Sequence, residues 1–146
     1  MSKRQLTFVT AEKKELILPT RIESVERAAL EAAEFAKNAG FGDEEIFAID
    51  LAVREAVANA VKHGNLLDET KNVELTFSDL PRGLEITVRD FGAGFDVDEI
   101  PDPTQPENLL KVNGRGILFM RNFTEEVEWE RHPEGGMVVK MRKLRA

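Results

Sequence analysis

The chain has 146 residues, with 27 acidic side chains against 20 basic ones and a formal charge of −7. That length predicts one domain built on one core, without room for a second catalytic domain, and 42% hydrophobic with 32% charged residues describes a globular chain rather than a disordered one. The negative balance argues against a nucleic-acid backbone or an anionic membrane as the main partner, and the absence of cysteine removes disulfides, thiolate metal sites and cysteine nucleophiles together.

Met1-Ser2-Lys3-Arg4-Gln5 leads into the strand-like run Leu6-Thr7-Phe8-Val9, not into an apolar leader. No apolar stretch approaches the roughly 20 residues that cross a bilayer, so the expectation is a soluble, cytoplasmic protein. Leu16-Ile17-Leu18 reads as another strand, stopped by Pro19. Thr20, with Glu23 three residues later, has the pattern of a capping box. Ile22, Val25, Ala29, Ala32 and Ala36 then recur at helical spacing as far as Asn38-Ala39-Gly40. Asp43 is expected to cap a second helix that reaches His63-Gly64, with Gly64 as its stop.

Val73, Leu75 and Phe77 alternate with Glu74, Thr76 and Ser78. After the turn Leu80-Pro81-Arg82-Gly83, Leu84, Ile86 and Val88 repeat that pattern, which predicts a hairpin. Residues 97–113 lose all periodicity and carry Pro101, Pro103 and Pro106 among Asp98, Glu99, Asp102 and Glu107, with no basic residue before Lys111. A loop of that length inside a small domain is usually functional. Ile117-Leu118-Phe119-Met120 suggests a short buried helix. Val127 and Trp129, then Met137, Val139 and Met141, alternate on either side of His132-Pro133-Glu134-Gly135-Gly136 and predict a closing hairpin, with Trp129 in the core. The fold class expected is α+β: a two-layer sandwich with a largely antiparallel sheet and its helices on one face. The lack of strand–helix alternation argues against a Rossmann-type sheet.

The second helix is apolar nearly all round. Ile46, Ile49, Val53, Ala56 and Ala60 form one stripe, and Phe47, Val57 and Val61 lie on other sides. Glu55 and Asn59 are neighbours one turn apart among Ala48, Leu51 and Ala52. A carboxylate and an amide there need partners or a water-filled cleft; a solvated edge, with Glu55 paired to Lys62 or Arg54, is the simpler alternative. Asp90 shares the parity of Leu84, Ile86 and Val88, so it faces inward at the end of its strand. It opens Asp90-Phe91-Gly92-Ala93-Gly94, where glycines allow close backbone approach and the carboxylate can accept a hydrogen bond from an exocyclic amine such as that of adenine. Asn113-Gly114-Arg115-Gly116 runs directly into the short helix, and glycines at a helix start present free amides to phosphate oxygens. Each motif alone is also compatible with an ordinary turn.

Taken in order, Glu55-x-x-x-Asn59 on a helix, Asp90-x-Gly92-x-Gly94 after a strand and Gly114-x-Gly116 before a helix resemble the N, G1 and G2 boxes of the GHKL ATPases. The run Leu51-Ala52-Val53-Arg54-Glu55-Ala56-Val57-Ala58-Asn59-Ala60-Val61-Lys62-His63-Gly64 is similar to the N box of one branch, the bacterial anti-sigma factor serine/threonine-protein kinases. Pro101-Asp102-Pro103, Glu107-Asn108-Leu109-Leu110 and Gly114-Arg115-Gly116-Ile117 resemble that branch's short lid and G2 loop. The resemblance covers about residues 15–143 and implies a single Bergerat-type domain over residues 1–146, with an ATP lid at about 97–113.

By that resemblance Asn59 would coordinate Mg²⁺ on the ATP phosphates, and Glu55 would orient or deprotonate the attacking hydroxyl. Asp90 would receive the adenine amine beside Gly92 and Gly94. Gly114, Arg115, Gly116 and Ile117 would supply amides to the phosphates, with charge from Arg115 or Lys111. The family's partners imply a kinase that phosphorylates an anti-anti-sigma (STAS-domain) protein, sequesters a sigma factor and works as a homodimer, touching neither nucleic acid nor membrane. A nucleotide-gated binding module, or a switch kinase that never meets a sigma factor, is the alternative. One departure stands out: relatives often carry a threonine near adenine in the last hairpin, where this chain has Gly136-Met137-Val138-Val139. His63 and His132 are the only histidines and do not suggest a metal site.

Overall fold

The computed structural model describes residues 12–92 and 124–145. The strand expected at residues 6–9, the acidic loop read as a lid at 97–113 and the short helix at 117–120 lie outside the described residues. Within them run β1 (Lys13–Pro19), α1 (Glu23–Asn38), α2 (Asp43–Asn59), a π-helical turn (Ala60–Gly64), β2 (Asn72–Leu80), β3 (Gly83–Arg89), β4 (Glu126–Arg131) and β5 (Met137–Leu144). The strands form one sheet in the order β1-β2-β3-β5-β4. Every pairing is antiparallel. The α+β class, the antiparallel sheet and both hairpins therefore stand as expected.

Strand alternation explains the two layers. Leu16, Leu75, Val88, Val139 and Trp129 lie in register across all five strands. Beside that row runs a second one, Phe77, Ile86, Met141 and Val127. Both rows belong to the single core, with Trp129 partly buried against it. The opposite face carries Glu74, Thr76, Glu85 and Lys140, all half exposed, and Arg142 there pairs with Glu85 and Glu126. One face is thus apolar and the other wet, so the helices have only one side to cover.

Small residues let the helices settle closely on each other and on the sheet. Ala28, Ala29, Ala32 and Ala36 of α1 and Ala48, Ala52 and Ala56 of α2 are all buried. Ile49, Val53 and Val57 of α2 are fully buried with them. The apolar character of α2 nearly all round does not translate into burial on every side, because Phe47 is 61% exposed. The helix has a solvent edge, where Arg54 reaches both Asp50 and Glu26.

Two caps differ from the expected ones. Thr20 does not cap α1: its hydroxyl donates to the Lys71 carbonyl at 2.6 Å and is itself 1% exposed, so long-range packing has taken the group away from the helix end. Ile22 takes the cap position, without a side-chain hydrogen bond, and sits half exposed off the apolar stripe. At α2 the cap is Gly42, whose N–H donates to Glu45 Oε1 at 2.9 Å, and Asp43 is the first helical residue. Asp43 there still places negative charge at the positive end of the helix.

The core depends most on its large central side chains. Phe77 is fully buried and meets the Phe35 ring at a centroid distance of 5.6 Å. Replacing it with alanine leaves a cavity under α1, and Phe77→Ala is expected to cost about 3–5 kcal/mol. Urea unfolding of both proteins measures this through the midpoint at constant slope; a loss below about 1 kcal/mol would mean that α1 and the sheet collapse into the space.

Candidate functional site

Strand β3 ends at Arg89, and Asp90 follows with its side chain on the core side, 6% exposed. Its backbone N–H donates to the Met137 carbonyl at 3.0 Å. In return the Met137 N–H donates to Asp90 Oδ1 at 3.3 Å, and the Gly92 N–H donates to the same oxygen at 3.0 Å. Burial pushes the Asp90 carboxyl above its ordinary value, and these two amides, with Arg89 and Lys71 nearby, pull it back only in part. Among the described residues both donors to the carboxylate reach Oδ1, so Oδ2 is the oxygen left for a further donor.

Three glycines let the backbone close in around Asp90, one of them directly against its carboxylate. A Cβ added at Gly64 would lie 2.2 Å from Asp90 Oδ2, and one at Gly136 would lie 1.9 Å from the Asp90 carbonyl oxygen. A Cβ at Gly92 would lie 1.9 Å from the Gly64 carbonyl oxygen. Real side chains do not tolerate such distances, so Gly92 serves an approach of two backbone segments as well as any approach to a ligand. Gly64 ends the helical run as expected, without adopting a left-handed conformation. It closes a π-helical turn, in which the Asn65 N–H donates five residues back to Ala60 at 2.8 Å. Turns of this type insert one extra residue into a helix and recur at functional sites; here the turn brings Gly64 against Asp90.

Glu55 and Asn59 lie in the last turns of α2, just before that π-helical turn, and both are half buried. Four residues of helix separate them by about 6 Å along the axis, on one face. Of the simpler alternatives for Glu55, the pair with Arg54 is not formed, because Arg54 is held by Asp50 and Glu26, and the pair with Lys62 is not formed among the described residues either. Asn59 Oδ1 is a buried side-chain oxygen without a hydrogen-bond partner among the described residues. An orphaned buried acceptor costs about 1–3 kcal/mol, and an amide oxygen is a ligand that suits a hard divalent cation.

The structure therefore sets Asp90 and Gly92 against Gly64, the last residue of the π-helical turn that continues α2 beyond Glu55 and Asn59. Gly94, Lys111, Gly114, Arg115, Gly116 and Ile117 lie outside the described residues. Two groups at this place lie outside the sequence motifs. Met137, in the stretch without a hydroxyl, gives Asp90 a backbone N–H, which any residue type could do. Asn65 is 1% exposed and uses its whole side chain: Nδ2 donates to Thr20 Oγ1 at 2.8 Å and to the Asn72 carbonyl at 3.0 Å, while Oδ1 accepts from the Phe91 N–H at 2.8 Å. An asparagine directly after the glycine that ends a helix was the available clue.

The raised Asp90 pKa fixes the sign of a pH effect. The folded state holds this proton more tightly than the unfolded chain, whose reference value is 3.8. Stability from this group is thus present below that value and lost as pH rises through the folded pKa. Asp90→Asn removes the titration, so its stability relative to wild type should climb as pH rises above the unfolded value of 3.8 and level off once pH has passed the raised folded pKa. Unfolding curves at several pH values measure it; a difference that does not change with pH would mean the carboxyl titrates alike in both states.

Comparison with known proteins agrees with this geometry. Residues 18–143 match the histidine kinase-like ATPase domain. An anti-sigma F factor of Shouchella clausii is 36% identical over 104 residues, which cover 68% of this chain and 70% of that protein. A serine-protein kinase RsbW of Bacillus subtilis is 30% identical over 135 residues, 88% of this chain and 83% of the relative. Among solved structures, the RsbU and RsbW domains of Rv1364c from Mycobacterium tuberculosis superpose with a TM-score of 0.64 at 18% identity over 91% of this chain, which spans about a third (32%) of that longer protein. The catalytic domain of histidine kinase ThkA superposes at 0.54 and 15% identity, over 90% of this chain and 98% of the other. The chain belongs to the histidine kinase-like ATPase domain family, in its branch of anti-sigma serine-protein kinases.

Proposed function

We propose that this chain binds Mg-ATP, transfers its terminal phosphoryl group to a serine or threonine of an anti-anti-sigma (STAS-domain) protein, and holds a sigma factor. The observation that carries this reading is the buried, unpartnered Asn59 Oδ1 one helical turn beyond Glu55. Such an oxygen suits Mg²⁺, which usually takes one or two protein oxygens and completes its shell with waters and substrate phosphates. Bound there, Mg²⁺ would neutralise charge on the transferring phosphoryl group.

The chain's own residues then divide the work. Glu55, free of any ion pair with its neighbour Arg54, takes the proton of the substrate hydroxyl as the new oxygen–phosphorus bond forms and the bond to the departing ADP breaks. Asp90 Oδ2 accepts from the exocyclic amine of adenine, and its burial excludes competing water. In the same reading Gly94 shapes the base pocket, while Gly114, Arg115, Gly116, Ile117 and Lys111 hold the phosphates, and residues 97–113 are the lid. The kinase unit is one domain, with its core at about residues 15–143. It works as a homodimer in the cytoplasm, where ATP and a sigma factor both meet it, without direct contact with nucleic acid or membrane.

Glu55→Gln preserves shape but cannot take a proton at neutral pH. Loss of a positioned general base costs about 10²–10⁴ in rate, so phosphotransfer should fall by that factor while ATP binding changes little. Asn59→Ala should instead weaken nucleotide binding in Mg²⁺ more than in its absence. Transfer of labelled phosphate to the co-purified partner, beside calorimetry with and without Mg²⁺, separates the two. Wild-type transfer rates in Glu55→Gln would remove Glu55 from the chemistry. A wild-type protein that captures its partner only with ATP, yet never phosphorylates it, would replace the kinase by a nucleotide-gated binding module.

A further inference from the structure

We infer that Asn65 is a positioning residue for base selection: it sets the Asp90 carboxylate through the Phe91 amide, and so helps decide that adenine rather than guanine is bound. The inference rests on the proposed role of Asp90 in receiving adenine.

Asn65 is the place where four segments meet. Its backbone closes the π-helical turn on Ala60. Its Nδ2 reaches Thr20, just after β1, and the Asn72 carbonyl at the start of β2. Its Oδ1 takes the N–H of Phe91, between Asp90 and Gly92. The Thr20 hydroxyl passes its own proton on to the Lys71 carbonyl, so donors and acceptors are matched throughout. Every member is pinned by another, and a buried polar network that is fully satisfied fixes geometry more firmly than apolar contact does.

The Phe91 bond is the one that bears on the site. Asp90, Phe91 and Gly92 form the turn that carries the carboxylate, and the Gly92 N–H is one of the two amides on Asp90 Oδ1. With Asn65 Oδ1 removed, the Phe91 N–H loses its acceptor and the turn can rotate. Oδ2 then no longer faces a fixed direction. Adenine offers an amine where guanine offers a carbonyl oxygen, which a carboxylate repels, so discrimination needs that direction to be held. Local stability alone does not require it.

The test compares ATP and GTP affinity in wild type, Asn65→Ala, Asn65→Ser and Thr20→Val, each checked for folding by circular dichroism at low temperature. Serine is too short to reach Phe91 but tolerates hydration, so it serves if the alanine variant does not fold. Thr20→Val removes one acceptor of Asn65 Nδ2 but leaves that group bound to the Asn72 carbonyl and Oδ1 bound to the Phe91 N–H. Both Asn65 variants should lose about tenfold of the ATP-over-GTP preference, the scale of one net hydrogen bond. Thr20→Val should lower the unfolding temperature and keep the preference. Combined with Asp90→Asn, the Asn65 effect should vanish, because the two act through one carboxylate. Asn65 variants that are less stable but equally selective would overturn the inference, as would additive effects with Asp90→Asn. A wild-type protein without any preference for ATP would instead remove the adenine role of Asp90 itself.

Discussion

Asp90 imposes the tightest constraint in this protein. A carboxylate that is 6% exposed must be given hydrogen bonds or it will neutralise, and here two backbone amides, from Gly92 and Met137, meet one of its oxygens. Those amides come from segments some 45 residues apart in sequence, so satisfying one side chain ties the end of β3 to the start of β5. The space for it is made by removing side chains elsewhere. Gly64 and Gly136 each stand where a Cβ would overlap Asp90, and the π-helical turn sets where Gly64 falls.

Helix α2 supplies the other two candidate side chains, Glu55 and Asn59. Helix α2 is anchored by fully buried Ile49, Val53 and Val57 against the sheet, which leaves Glu55 and Asn59 on a neighbouring face. Neither is satisfied by the salt links nearby, since Arg54 is occupied on the solvent edge by Asp50 and Glu26. A stability argument alone would replace Asn59, whose side-chain oxygen is buried without a partner. Polar groups left unsatisfied in an otherwise well-packed domain are where function sets the terms. In the proposed function the helix is rigid scaffold and reactive surface together, which suits phosphoryl transfer, where positioning and charge do most of the work.

Much of this was legible in the sequence because the signals are local. The alternation of Val73, Leu75 and Phe77 with polar neighbours fixes which side of β2 is buried, and the inward parity of Asp90 follows from Leu84, Ile86 and Val88 by the same period of two. The spacing of Glu55 and Asn59 places them on one helical face whatever surrounds them. The closing hairpin and the core position of Trp129 follow from alternation around the His132–Gly136 turn.

What the sequence could not determine are the features made by contacts between distant segments. Thr20 looks like a helix cap from its neighbours, but its partners are Lys71 and Asn65, the latter 45 positions away. Gly64 looks like a helix stop, yet its reason is Asp90, and Asn65 shows its purpose only when Phe91 arrives 26 positions later. Phe47 follows the apolar pattern of α2 and still faces solvent, because the sheet and α1 cover only part of that helix. Periodicity and capping patterns report the forces along a short stretch of chain. Which buried polar groups find each other depends on closing loops between them, and only the folded arrangement decides that.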